Sequence, residues 1–92
     1  MERRRVKVYY TGYVQGVGFR YTVKRLAMGY EVVGVVRNLS DGRVELIAEG
    51  ERVEIEQFLQ AIRDSEVGRF IRSEDISWCE PTGEMRGFHI TG

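Results

Sequence analysis

Between residues 11 and 20 the chain reads Thr11-Gly12-Tyr13-Val14-Gln15-Gly16-Val17-Gly18-Phe19-Arg20, a run of closely spaced glycines that ends on an arginine. Glycines let backbone approach a ligand with no Cβ in the way. Before this run, Val6, Val8 and Tyr10 alternate with Lys7, Tyr9 and Thr11, the pattern of a half-buried strand. After it, apolar residues at 19, 23, 26, 27 and 30 fall on one face of a helix. With the helix starting near Gly18, the loop amides and the helix N-terminus point at one spot and favour an anion there. Arg20 then stands in the first helical turn, where a cation opposes the helix dipole. An anion held between the amides and the guanidinium would resolve that misfit. A glycine-rich connection followed by a solvent-facing arginine accounts for the same pattern equally well.

The other residues with chemical potential are weaker candidates. A thiol phosphatase needs an arginine six positions after its cysteine, but six after Cys79 stands Met85, with Arg86 one residue late. A buried structural thiol is the expectation for Cys79. His89, the single histidine, lies between Phe88 and Ile90 and is expected on the solvent face of a strand. One histidine and one cysteine cannot form a zinc cluster unaided, so no metal is expected. Gly16-Val17-Gly18 is no dinucleotide fingerprint, because Tyr21 stands where the third glycine would be, and no Gly-Lys-Ser/Thr triplet exists for a nucleotide loop.

The elements that would position these residues follow from periodicity. A first strand is expected over 4–12 and a helix over 19–30, with Gly29 near its end. Val32 to Arg37 is short and β-branched, a second strand. Asn38-Leu39-Ser40-Asp41-Gly42 is a turn, and Arg43 to Glu49 a third strand with Val44, Leu46 and Ala48 on one face, broken by Gly50. Ile55, Phe58, Leu59 and Ile62 repeat at helix spacing over 52–64. A fourth strand over 70–78, a loop or long hairpin connection over 79–87 holding Pro81 and Gly83, and a short closing strand at 88–90 complete the chain. The order β-α-β-β-α-β, with both helices in crossovers, predicts an α+β fold. It is the ferredoxin-like split βαβ sandwich, an antiparallel sheet with two helices on one face.

Ninety-two residues suit one domain over 1–92, with 42% hydrophobic and 30% charged residues, ordinary for a globular protein. Fourteen basic and fourteen acidic residues cancel, which argues against nucleic acid or an anionic membrane surface as the main partner. A lone cysteine fits a reducing, cytoplasmic setting. No apolar run approaches the roughly 20 residues of a membrane span. The opening Met-Glu-Arg-Arg-Arg lacks the apolar stretch of a signal peptide.

From Gly12 to Arg20 the chain resembles the acylphosphatase family, whose loop reads G-x-V-Q-G-V-x-F-R. Gly34-Val35-Val36-Arg37-Asn38, then Gly42, Val44 and Gly50, resemble a second stretch of that family, in order and at the family's spacing from Arg20. The likeness is good over about 5–64 and holds only in outline beyond. Tyr13 stands where the family usually has a basic residue, Glu31 where it has a helix-ending glycine, and Val35 where it has an aromatic. The resemblance implies hydrolysis of a small-molecule acyl phosphate to a carboxylate and inorganic phosphate, with neither metal nor organic cofactor. It assigns phosphate binding to Gln15, Gly16, Val17, Gly18 and Phe19 through backbone N–H groups and to Arg20 through its planar fork. It assigns the attacking water to Asn38, so that Arg20 and Asn38 are the catalytic pair. Asn38 read alone is a turn-opening asparagine. The topology nevertheless brings it near Arg20, since the first two strands should lie parallel across the crossover. The implied enzyme is cytoplasmic and monomeric. Its rival is a non-catalytic ferredoxin-like module that uses the same loop to bind phosphate or a phospho-ligand. A third reading is the acylphosphatase-like domain of large carbamoyl-transfer proteins, which the length and the closing strand argue against.

Overall fold

The alternation of the first segment becomes β1 (Arg3–Gly12), and its inward residues Val6, Val8 and Tyr10 are fully buried. This computed structural model describes residues 2–92. The remaining elements are α1 (Phe19–Ala27), β2 (Val32–Asn38), β3 (Val44–Glu51), α2 (Arg52–Asp64), a single 3-10 turn at Gly68–Phe70, β4 (Ile71–Cys79) and β5 (Phe88–Thr91). The strands lie in the order β4-β1-β3-β2-β5. Both β1 and β2 run antiparallel to the central β3, so they are parallel to each other, as two crossovers require. The fold class is the α+β, ferredoxin-like sandwich the sequence predicts.

One part of that expectation needs correction. The sheet is mixed, not antiparallel throughout, because β5 pairs parallel with β2, Gly34 opposite Phe88 and Arg37 opposite Thr91. The reason lies in the connection after β4. It makes no hairpin; it carries the chain from the β4 edge of the sheet to the opposite edge, where β5 pairs with β2.

The core fills the space between the sheet and the helices. Val44, Leu46 and Ala48 of β3 face Val23 of α1 and Ile55, Phe58 and Ile62 of α2, all buried. Each such aliphatic or aromatic side chain contributes about 1.5–3 kcal/mol on leaving water. Phe58 ties the far edge into this core, with its ring centroid 6.0 Å from Tyr30 and 5.7 Å, edge-on, from Phe88 of β5.

Several boundaries move for physical reasons. The first helix stops at Ala27, not 30, and its last turn tightens as the Gly29 amide donates to the Leu26 carbonyl at 3.0 Å. At Glu31, which lacks the family's glycine, the backbone amide instead donates to the Glu54 carboxylate of α2 at 2.8 Å. Gly50 does not break β3, which pairs with β1 as far as Arg3 opposite Glu51. The glycine is required there because a Cβ would stand 2.6 Å from the Glu31 carbonyl oxygen. Cys79 is exposed, against expectation. It ends an edge strand and pairs opposite Arg5, on the face turned away from the helices.

Candidate active site

One end of the sheet gathers the close of β1, the start of α1, the close of β2, the start of β3 and the close of β5. The loop from Tyr13 to Gly18 crosses this end and is pinned on both sides by buried apolar anchors. Val14 and Phe19 are buried, and the Phe19 ring lies 5.0 Å from that of Tyr10. Between the anchors, Gly16 and Gly18 adopt φ of 81° and 79°, left-handed values that glycine takes at little cost, with open space where a Cβ would point. Gly18 is also the residue from which α1 begins, and no side chain caps that helix.

The result is a concentration of unpartnered donors. Among the described residues, none of the backbone amides of Gln15 to Arg20 donates to a carbonyl or a side chain. No acidic residue occupies the first turn of α1 to satisfy them. Such an array draws an anion from solvent. Arg20 is half-buried beside it, and its Nη1 donates to the Gly92 carbonyl oxygen at 2.7 Å. A guanidinium has five donors in a fork, so this single contact leaves several free for a phosphate.

Asn38 closes the other side. It ends β2, where it pairs with Val44, and the turn behind it is held by the Leu39 amide donating to the Arg43 carbonyl at 2.8 Å. Its Oδ1 is buried and has no hydrogen-bond partner. Tyr10 Oη and Arg4 Nε share that condition, but of these three residues only Asn38 lines the cavity that Arg20 also lines. That cavity has a volume of about 160 Å³ and no acidic residue in its wall. A buried acceptor without a partner costs about 1–3 kcal/mol, and a bound water or ligand at that point removes the cost.

The expected site residues are thus largely brought together. Gly16, Gly18, Phe19, Arg20 and Asn38 all line the cavity. Gln15 and Val17 do not: Val17 packs its side chain against the core, and Gln15 turns its side chain sideways. Gln15 Nε2 donates to the carbonyls of Leu39 and Arg43 at 2.8 and 2.9 Å. It is therefore a brace between the loop that leads into Arg20 and the turn that follows Asn38. Sequence reasoning gave Gln15 only a backbone amide, and no local pattern signals a bond across two strands. Val14, Tyr21 and Ile90 also line the cavity and were missed. The one available signal for Ile90 was its sharing a strand side with Phe88.

The remaining candidates lie elsewhere. His89 is exposed on β5, with its Nε2 2.7 Å from the Arg86 carbonyl oxygen. Among the described residues no three His, Cys, Asp or Glu side chains converge as a metal site would need.

A profile of the acylphosphatase family matches residues 6–90. The chain belongs to the acylphosphatase family. It is 40% identical over 90 residues to an acylphosphatase of Roseiflexus sp. (strain RS-1), covering 98% of this chain and 97% of that one. Its fold superposes on the crystal structure of acylphosphatase from Bacillus subtilis with a TM-score of 0.89 and 29% identity, over 97% of this chain and 99% of that one. HypF from T. kodakarensis contains a similar region, with a TM-score of 0.83 and 29% identity, covering 97% of this chain but 12% of that one. The family's loop and its asparagine-bearing turn thus meet here around one cavity.

Proposed function

We propose that this chain is an acylphosphatase that cleaves the carboxyl–phosphate anhydride of a small acyl phosphate to a carboxylate and inorganic phosphate. The observation that carries the reading is the unpartnered Asn38 Oδ1, buried at the wall of the cavity that Arg20 and the free loop amides also border. The phosphate oxygens take N–H donors from the loop between Gln15 and Phe19 and the fork of Arg20. A water donates one O–H to Asn38 Oδ1, which turns its oxygen lone pair toward phosphorus. Attack forms the new P–O bond as the bond to the acyl oxygen breaks, and the electron pair leaves with the carboxylate. A carboxylate of pKa about 4 departs without protonation, so no general acid is needed. The proton of the attacking water passes to a phosphate oxygen. In a loose phosphoryl-transfer transition state the catalytic work is positioning and charge stabilisation, and both are supplied by these groups.

A monomer as the working unit is part of the same proposal, supported by one cavity wall that holds both Arg20 and Asn38. Among the described residues no helix is long and apolar enough to cross a membrane. A cytoplasmic location is part of the same proposal, supported by a cysteine content that leaves no internal disulfide to form.

The test is release of inorganic phosphate from acetyl phosphate by the purified protein with a chelator present. Turnover is expected, with competitive inhibition by inorganic phosphate. Turnover lost in EDTA and restored by magnesium would overturn the mechanism. Phosphate binding with no turnover would make the chain a non-catalytic phosphate binder.

A further inference from the structure

The anion cavity does not end at Arg20. Tyr21 and Ile90 belong to its wall and also to that of a second, adjoining hollow of about 260 Å³, which continues along α1 past Lys24, Arg25 and Met28. Residues 21, 24, 25 and 28 recur at helix spacing, so they form one outward stripe of α1 opposite the edge strand β5. From Tyr21 to Met28 the helix rises about 10 Å. Two large apolar side chains on that stripe stand open to solvent, Tyr21 at 70% and Met28 at 83% exposure, and Ile90 faces them at 36%. Single exposed apolar residues need no explanation, but these three border one groove that opens into a polar site.

Two basic residues share the groove wall with these apolar ones. Arg25 is part of the groove wall, and its guanidinium is paired, Nη2 3.0 Å from the Glu66 carboxylate. Lys24 is exposed and can lay its methylene stem along the groove while its ammonium stays in water. No acidic residue lines the groove, and Lys24 and Arg25 in its wall favour the approach of an anionic substrate.

We propose that this groove is the acyl subsite, holding the carbon chain or ring of a substrate whose phosphate rests on Arg20 and the glycine loop. The occupant is an apolar acyl group of medium length, and Tyr21, Met28 and Ile90 make the enzyme prefer it to acetyl. The proposal rests on the hydrolase reading above. The groove shares two wall residues with the anion cavity, so a phosphate seated there directs its acyl substituent either into bulk water or along this apolar stripe. The stripe is the only one of the two that removes apolar surface from water.

The test compares acetyl phosphate with hexanoyl phosphate, whose leaving carboxylates are of nearly equal acidity, so a difference between them reports binding. The added methylenes, half covered in an open groove, should lower KM about tenfold. Met28→Ser should raise KM for hexanoyl phosphate about threefold to fivefold, and Met28→Leu should leave it near the parent value. Both variants should keep the parent KM for acetyl phosphate and the parent inhibition constant for inorganic phosphate. Met28 is exposed, and a melting curve beside the kinetics verifies that each variant is folded. Equal KM for the two substrates in the parent, or a Met28→Ser shift common to both, would overturn the acyl groove while leaving the hydrolase intact. Release of phosphate from neither compound would overturn the hydrolase reading and the groove with it.

Discussion

The two ends of the central strand β3 treat polar groups in opposite ways. At the end where Val44 pairs with Asn38, loop amides, a buried carboxamide oxygen and most of a guanidinium are left without protein partners. At the other end, Glu49 is buried more completely than any other charged residue described, at 1% exposure, yet its carboxylate is fully engaged. Arg5 Nη1 donates to it at 2.7 Å, the Thr82 amide and hydroxyl at 2.9 Å each, and the Gly83 amide at 3.0 Å. Burial raises the Glu49 pKa. The bonds from the Thr82 amide, Arg5 and the Gly83 amide outweigh it and hold the carboxyl down at about 2. The same chemistry, polar groups taken out of bulk water, is completed at one end by the protein and left open at the other, where the proposed substrate would complete it. A site that must bind and release keeps its vacancies, whereas a clasp does not.

Breaking each end should therefore cost a different quantity. The largest effect is expected at the open end. Asn38→Ala removes the proposed holder of the attacking water and should lower kcat about a hundredfold or more, while inorganic phosphate still binds with nearly parental affinity. Asn38 is also a strand-end residue. A lowered melting point with an unchanged kcat at a temperature where both proteins are folded would make it structural. Arg20→Lys keeps the charge but loses the planar fork, and should weaken phosphate inhibition at least about tenfold as well as slow turnover. Equal phosphate affinity in variant and parent would remove Arg20 from the site.

At the closed end the expected change is in stability alone. Glu49→Ala strands Arg5 and two loop amides and should destabilise the fold by about 3 kcal/mol, read from denaturant unfolding. The clasp holds the connection that brings β5 across the sheet, and the Gly34 amide donating to the Gly87 carbonyl at 2.9 Å secures the crossing just before β5 begins. The carboxyl is depressed from an ordinary 4.5 to about 2. Its contribution is therefore complete above about pH 5 and is lost as the pH falls through about 2. Parent stability should fall across that acid window more steeply than that of Glu49→Gln, which has no carboxyl to protonate. Parallel stability curves for the two proteins would show that Glu49 is not the group that titrates.

How far the sequence discloses each end follows the same division. Gly16, Gly18 and Arg20 are neighbours along the chain, so strand and helix periodicity on either side reveals what lies between. Asn38 is visible through the parallel relation of β1 and β2, which the crossover dictates. Glu49 is hidden because it falls on the outward positions of β3, where alternation assigns it to solvent. What covers it is the segment around Thr82 and Gly83, which is irregular and carries no period to announce its course. The parallel placement of β5 and the part of Ile90 in the cavity are lost for the same reason. A contact that joins distant segments leaves no mark in either one.

Gln15 tests the boundary between the two behaviours, because it is a satisfied group within the open end. Its amide nitrogen spends both donors on the Leu39 and Arg43 carbonyls, and these lie in the turn just beyond Asn38. Gln15→Ala removes two neutral hydrogen bonds, worth about 1 kcal/mol each. A brace of this kind should show itself twice. Unfolding stability should drop by about 1–2 kcal/mol, and kcat should fall about tenfold, because the loop and the turn proposed to hold the water are no longer fixed to each other. Phosphate inhibition should change little, since the amides of the loop and Arg20 remain. Gln15→Glu separates bracing from mere presence of a side chain of that length. It sets a carboxylate against two carbonyl oxygens and beside the anion site, so it should impair both kcat and phosphate binding more than alanine does. If Gln15→Ala lowers stability and leaves kcat at the parental value, the brace belongs with Glu49 as a purely structural tie. The open end would then keep its geometry without it.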